Sequence, residues 1–159
     1  MADEKLEMLR HTVATVAYRG SKALRGAPDS FAEFRAGNTT RTPGQILAHI
    51  GDLFDWALSM VRGKEAWHDS APLPWSREVE RFFATLRAFD EVLASGARPA
   101  LDADRLFQGP VADALTHIGQ IAMLRRLAEI PVRGENYARA EIRAGRVGAS
   151  QPDPVREFD

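Results

Sequence analysis

Two polar side chains in an apolar setting carry most of the chemistry this sequence offers. In the stretch from Gly109 to Arg126, GPVADALTHIGQIAMLRR, Asp113 and His117 stand four positions apart. On a helix that spacing puts a carboxylate and an imidazole one turn apart on the same face. Ala114, Ile121, Leu124 and Ala128 share the face. Val111, Leu115, Ile118 and Ala122 form a second apolar stripe, so both long sides of the helix are expected to pack. Ionisable groups buried there need partners, and a metal ion is one that suits both.

The 159-residue chain has no cysteine, so any metal must sit on nitrogen and oxygen. His49, at the edge of another apolar segment, supplies a third donor. Two histidines and one carboxylate leave positions open for water or substrate, unlike a saturated structural site. Such a site lowers the pKa of bound water or orients an anionic substrate atom. A plainer explanation stands beside this one. With 22 acidic residues among 159, an acid four places before a given histidine arises by chance about one time in seven, and the pair is then an intrahelical ion pair. His11 falls off the apolar stripe of its own segment and is expected at the surface. His68, in a Pro-flanked linker, is expected to face solvent.

The elements that must position these residues are helical, and strand-like alternation is almost absent. Leu6, Leu9, Val13, Val16, Ala17 and Leu24 recur at three and four, giving a first helix that Gly26 and Pro28 end. Thr42-Pro43-Gly44-Gln45 opens the second: Thr42 caps, Pro43 fits the first helical position and Gln45 completes a capping box. Ile46, Ile50, Leu53, Phe54, Ala57 and Val61 form its apolar face, with His49 on the side of Leu53 and Trp56. Phe31 and Phe34, in the long connection before it, are expected to cover the core. Val79, Phe82, Phe83, Leu86, Phe89 and Leu93 pattern a third helix, closed by Gly96. The linker from Gly63 to Pro74 can reach roughly 40 Å, enough to run the length of a 30 Å helix without making a hairpin. The fourth helix starts near Gly109 and ends before Pro131. A short helix is expected from about Glu135 to Ala144, with SQPDPVREFD as a tail lacking a fold of its own. The whole reads as one all-α domain over residues 1–159, a four-helix bundle with long connections and a C-terminal extension from residue 131.

Composition narrows the function classes. Lys and Arg number 21 against 22 Asp and Glu, with no basic block, which argues against a nucleic-acid partner. No run approaches the roughly 18 apolar residues of a membrane span, and the N-terminal MADEKLEM lacks the order of a secretory signal. A cytoplasmic protein is the expectation, and the open positions of the candidate metal site point to a small-molecule substrate.

At PGQILAHIGDL, Pro43 to Leu53, and DALTHIGQIAMLRR, Asp113 to Arg126, the chain resembles the two signature helices of the DinB/YfiT superfamily of metal-dependent proteins. The resemblance covers most of the chain in helix order and spacing and includes a PVxGENY-like stretch from Pro131 to Tyr137. In that superfamily a histidine of the second helix and an H-x-x-x-H pair of the fourth hold a divalent metal, the pair usually followed by G-Q. The resemblance therefore implies His49, Asp113 and His117 as ligands, with Gly119 and Gln120 following. Asp113 stands where the superfamily has histidine. Carboxylate oxygen is a ligand for Zn, Ni, Mn or Fe, so the departure bears on metal preference and affinity. Gln120 is expected to support His117, Trp56 to wall the site, and Tyr137, with Asn136 and Glu135, to fold over its open face. A packed amide, a core tryptophan and a solvated cap are the plainer alternatives. Parallel second and third helices and a homodimer are also implied. Characterised relatives include low-molecular-weight thiol transferases, and here the thiol must arrive from outside the chain. Metal-assisted hydrolysis of a small ester or amide uses the same ligands. A non-enzymatic, stress-associated metal-binding bundle is the third reading. Asp52 and Glu141 are candidate bases only because they lie near these elements in sequence.

Overall fold

The computed structural model describes residues 3–159. Four long helices dominate: α1 (Glu4–Leu24), α2 (Pro43–Val61), α3 (Trp75–Ala94) and α5 (Ala112–Leu127), with a short α4 (Ala103–Leu106) leading into the last. Local chemistry sets their ends. The Asp3 carboxylate accepts from the backbone N–H of Lys5 and Leu6 to start α1. Thr42 and Gln45 close a reciprocal capping box at α2, which satisfies two otherwise orphaned donors. Gly26, Gly63 and Gly96 each take a positive φ just beyond α1, α2 and α3, where a residue with a Cβ is disfavoured.

Side-chain contacts give the helix directions. Arg81 of α3 lies against Ala48, Asp52 and Asp55 of α2, and further along Phe89 meets Phe54 with ring centroids 5.9 Å apart. Beyond the end of α3, Ala100 N–H donates to the carbonyl of Val61, the last residue of α2. Thus α2 and α3 run parallel, and the linker between them returns along α2. Lys5 pairs with Asp104 at one end of α1. At its other end Arg125 donates to the carbonyls of Ala23 and Arg25, so α1 and α5 are parallel as well. Phe54, Phe82, Phe89, Leu47, Ile50, Leu86, Leu106 and Ile121 are fully buried in one core. Phe31 joins it through a 3-10 turn over Asp29–Glu33, stacked on Phe34 and edge-on to Trp75.

Two sequence expectations are corrected. The fourth helix does not begin at Gly109. Helical backbone starts at Ala103, and Phe107–Val111 forms a π turn containing Pro110. Proline has no N–H to donate, and the widened turn accommodates it without breaking the rod. The C-terminal extension does not form a helix over 135–144. Gly134–Glu135 (β1) pairs antiparallel with Glu157–Phe158 (β2), and only Tyr137–Arg139 makes a 3-10 turn. Glu135 explains the difference. Its carboxylate is fully buried, accepting from Tyr18 Oη at 2.6 Å and Lys22 Nζ at 2.7 Å, and Lys22 also reaches Glu157 at 2.7 Å. Capture by α1 overrides the modest helical propensity of the segment. The tail is tied down with it. Among the described residues no helix is long and apolar enough to cross a membrane.

Candidate metal centre

His49 faces outward from α2 because the capping box fixes where α2 starts and its apolar stripe fixes how it rolls. Asp113 and His117 follow the π turn on α5, one turn apart as their spacing requires. The three meet. Asp113 Oδ2 lies 3.6 Å from His49 Nε2 and 3.4 Å from His117 Nε2, and the two imidazole rings stand edge to face with centroids 4.7 Å apart. One donor atom from each residue falls within 4.8 Å of the others. These separations are long for N–H···O hydrogen bonds. They suit a shared ion: donors each about 2.1 Å from one metal lie roughly 3.0 Å apart at a right angle and roughly 3.4 Å at the tetrahedral angle.

Protonation favours the same arrangement. Gln120 Oε1 lies 2.7 Å from His117 Nδ1. A carbonyl oxygen only accepts, so this contact suits a ring protonated at Nδ1, and in the neutral form such a ring presents its Nε2 lone pair toward Asp113. His49 is held below the ordinary histidine range, first by burial and then by the facing His117 and the charge of Arg41, with Asp113 opposing. Neutral imidazole is the metal-binding form. The His49 and His117 side chains are 19% and 13% exposed, whereas Asp113 is 47% exposed. Asp113 therefore lies at the mouth of the site and not inside an apolar wall.

The other candidates are placed as follows. Trp56 packs near Gly109 and flanks Asp113 in a small cleft, with its Nε1–H donating to Glu65. Gln120 is exposed and bonds His117 directly. Tyr137 instead packs edge-on against Tyr18 of α1 and lies beneath the Arg19 guanidinium. The pocket that His49 and His117 line does not include it. His11 is exposed. Asp52 has both carboxylate oxygens engaged by Ser70 and Arg81, and Glu141 is exposed on the extension, so neither supplies a free base at the histidines.

Sequence reasoning missed the strap over this site. The linker runs back along α2 and lays Trp67 edge-on to His49 at 5.6 Å and to Trp56 at 5.8 Å. His68 follows it, half exposed, with Nδ1 3.2 Å from Asp52 and Nε2 3.3 Å from Asp55. Asp52, Asp55 and His68 also have ligand-like spacing, but a cation is already there. Arg81 Nη2 lies 2.6 Å from Asp52 and 2.8 Å from Asp55. That cluster is a lock for the linker. Gly51 was its one sequence signal, since a Cβ there would meet Arg81 Nη1 at 2.7 Å.

An open pocket of about 910 Å³ adjoins the two histidines between α2 and α5. Comparison with protein-family models, with curated proteins and with solved structures found no match to the chain.

Proposed function

We propose that the chain is a DinB/YfiT-like metalloprotein that uses a divalent transition metal, Zn, Ni, Mn or Fe, to transfer a low-molecular-weight thiol to a small electrophile. The convergence of His49, Asp113 and His117, with Gln120 in contact with the His117 ring, is the observation that carries this reading. The parallel α2 and α3 and the placement of the donors on α2 and α5 support the superfamily resemblance.

In this reading His49 Nε2, His117 Nε2 and Asp113 Oδ2 would hold the ion beside the open pocket. A bound divalent ion supplies Lewis acidity, which draws the pKa of a coordinated thiol or water toward neutrality. The protein's own groups do the rest. Gln120 keeps the His117 ring oriented, Trp67 covers one edge of His49, and the pocket holds the electrophile beside them. With Asp52 engaged by Arg81 and Ser70, a nucleophile that needs little help losing its proton is favoured. A thiol, with an ordinary pKa near 8.5, meets that need better than water, which ranks thiol transfer above hydrolysis.

The test is an assay with a small thiol and a chlorodinitrobenzene. A sulfur–carbon bond forms, the carbon–chlorine bond breaks, chloride leaves and the thiol proton passes to solvent. Turnover should require both thiol and metal and be lost in His117→Ala. Full turnover in metal-free protein would refute the reading, and metal-dependent ester cleavage without thiol would move it to hydrolysis. A homodimer comes with the resemblance, and a cytoplasmic location with the composition of the chain. Light scattering that shows a monomer at micromolar concentration removes the dimer without touching the site.

A further inference from the structure

The pocket beside the histidines has an apolar wall and one unpaired cation. Ile46 of α2 and Met123, Leu124 and Leu127 of α5 form the wall, with Met123 and Leu127 58% and 54% exposed. Neighbouring large apolar side chains open to solvent mark a surface that meets an apolar body. Arg41 stands in the same pocket, just ahead of the Thr42 cap. Arg10 and Arg81 are each paired with carboxylates. Arg41 is exposed and its charge reaches His49, and among the described residues it takes part in no salt bridge. A divalent ion on His49, Asp113 and His117 would meet only one ligand carboxylate, and Arg41 adds further positive charge. The complement to this site is an anionic group.

We propose that the pocket takes a molecule with an apolar body and a carboxylate, the body lying on Met123 and Leu127 and the carboxylate on Arg41. This rests on the metal-site reading and names the class of electrophile or co-substrate that the site serves. A guanidinium fork matches a carboxylate through two parallel hydrogen bonds. Phosphate is the weaker fit, because it calls for a cradle of several donors, and at α2 Thr42 already takes the Gln45 N–H while Gln45 takes the Thr42 N–H. A volume of about 910 Å³ accommodates a small organic acid with room to spare.

The experiment is a titration of the zinc-equilibrated full chain with octanoate, octanol and acetate, followed by chemical-shift changes, with zinc content measured on the same sample. Octanoate should bind about tenfold tighter than octanol, as a bidentate charged pair provides, and tighter than acetate. Arg41→Ala should abolish the preference over octanol, Arg41→Lys should retain part of it, and Leu127→Ser should weaken octanoate while sparing acetate. Equal binding of octanoate and octanol, a preference that survives Arg41→Ala, or no saturation by octanoate overturns the proposal. If zinc is held at one per chain and the preference is absent, this inference fails and the metal reading stands. If the Arg41-dependent preference persists in a chain that holds no zinc, the metal reading fails and the acid pocket stands.

Discussion

Gln120 offers a test that separates ligand support from general stability. Its side-chain oxygen lies 2.7 Å from His117 Nδ1, placed to accept from an Nδ1–H and to hold the ring's orientation. Replacing it with leucine removes the acceptor. A neutral hydrogen bond of this kind is worth about 0.5–1.5 kcal/mol, which is about two- to tenfold in affinity. Partners behind a ligating histidine commonly matter about 10- to 100-fold. Gln120 is exposed, so water can replace it in part, and Gln120→Leu should weaken zinc about tenfold. Gln120→Glu should do the reverse, because a charged acceptor strengthens the bond and makes Nε2 more basic. Competition against a chromophoric chelator measures both affinities, and urea unfolding of the apoproteins checks that neither variant has simply loosened α5. Opposite shifts support the geometry. Affinities within twofold of the parent in both variants, or a loss in both, would refute the reasoning.

Other outcomes follow from the same structure. Glu135→Ala leaves Lys22 and Tyr18 without their buried partner and should destabilise by about 3 kcal/mol, the low end for a broken buried pair because Lys22 keeps Glu157; urea unfolding reads it. Burial alone would raise the Asp52 carboxyl, but the Ser70 N–H and hydroxyl and Arg81 outweigh it and hold Asp52 below its ordinary 3.8. Its stabilising contribution is therefore complete above 3.8 and is lost as pH falls through the depressed folded value. An acid titration should show Arg81→Met less stable than the parent at neutral pH, with the difference narrowing toward low pH; a difference constant with pH contradicts the pairing. At Gly20 a Cβ would collide with the Phe82 ring, so Gly20→Ala should cost about 1–3 kcal/mol by overpacking, and a thermal midpoint equal to the parent's would show that α1 and α3 can separate freely.

The start of α2 and the candidate metal donors were legible because both are local. Thr42 and Gln45 signal their cap by type and spacing, and Asp113 and His117 share a face by helical period alone. His49 needed only the bundle to bring it across. The remaining features depend on distant partners. Trp67 sits in a linker without periodicity, so nothing in its neighbours points to His49. Arg81 looks like any helix-surface arginine until Gly51 is seen to make room for it. The helix start expected near Gly109 falls inside a π turn that absorbs Pro110, and helical backbone begins at Ala103. Glu135 looked like a helix residue or a cap over the site, and a lysine and tyrosine more than a hundred positions earlier capture it instead. The parallel course of α2 and α3 was allowed by linker length, but its direction came only from the superfamily resemblance.

The central claim is that His49, Asp113 and His117 form a metal site. Elemental analysis of tag-free protein, beside His117→Ala, tests it most directly, with circular dichroism to confirm that the variant keeps its helices. The account expects about one transition metal per chain in the parent, as a single set of donors dictates, and none in the variant. No metal as purified and none retained after dialysis against Zn, Ni, Mn or Fe would contradict it, and Asp113 and His117 would then be an ion pair at the mouth of a cleft.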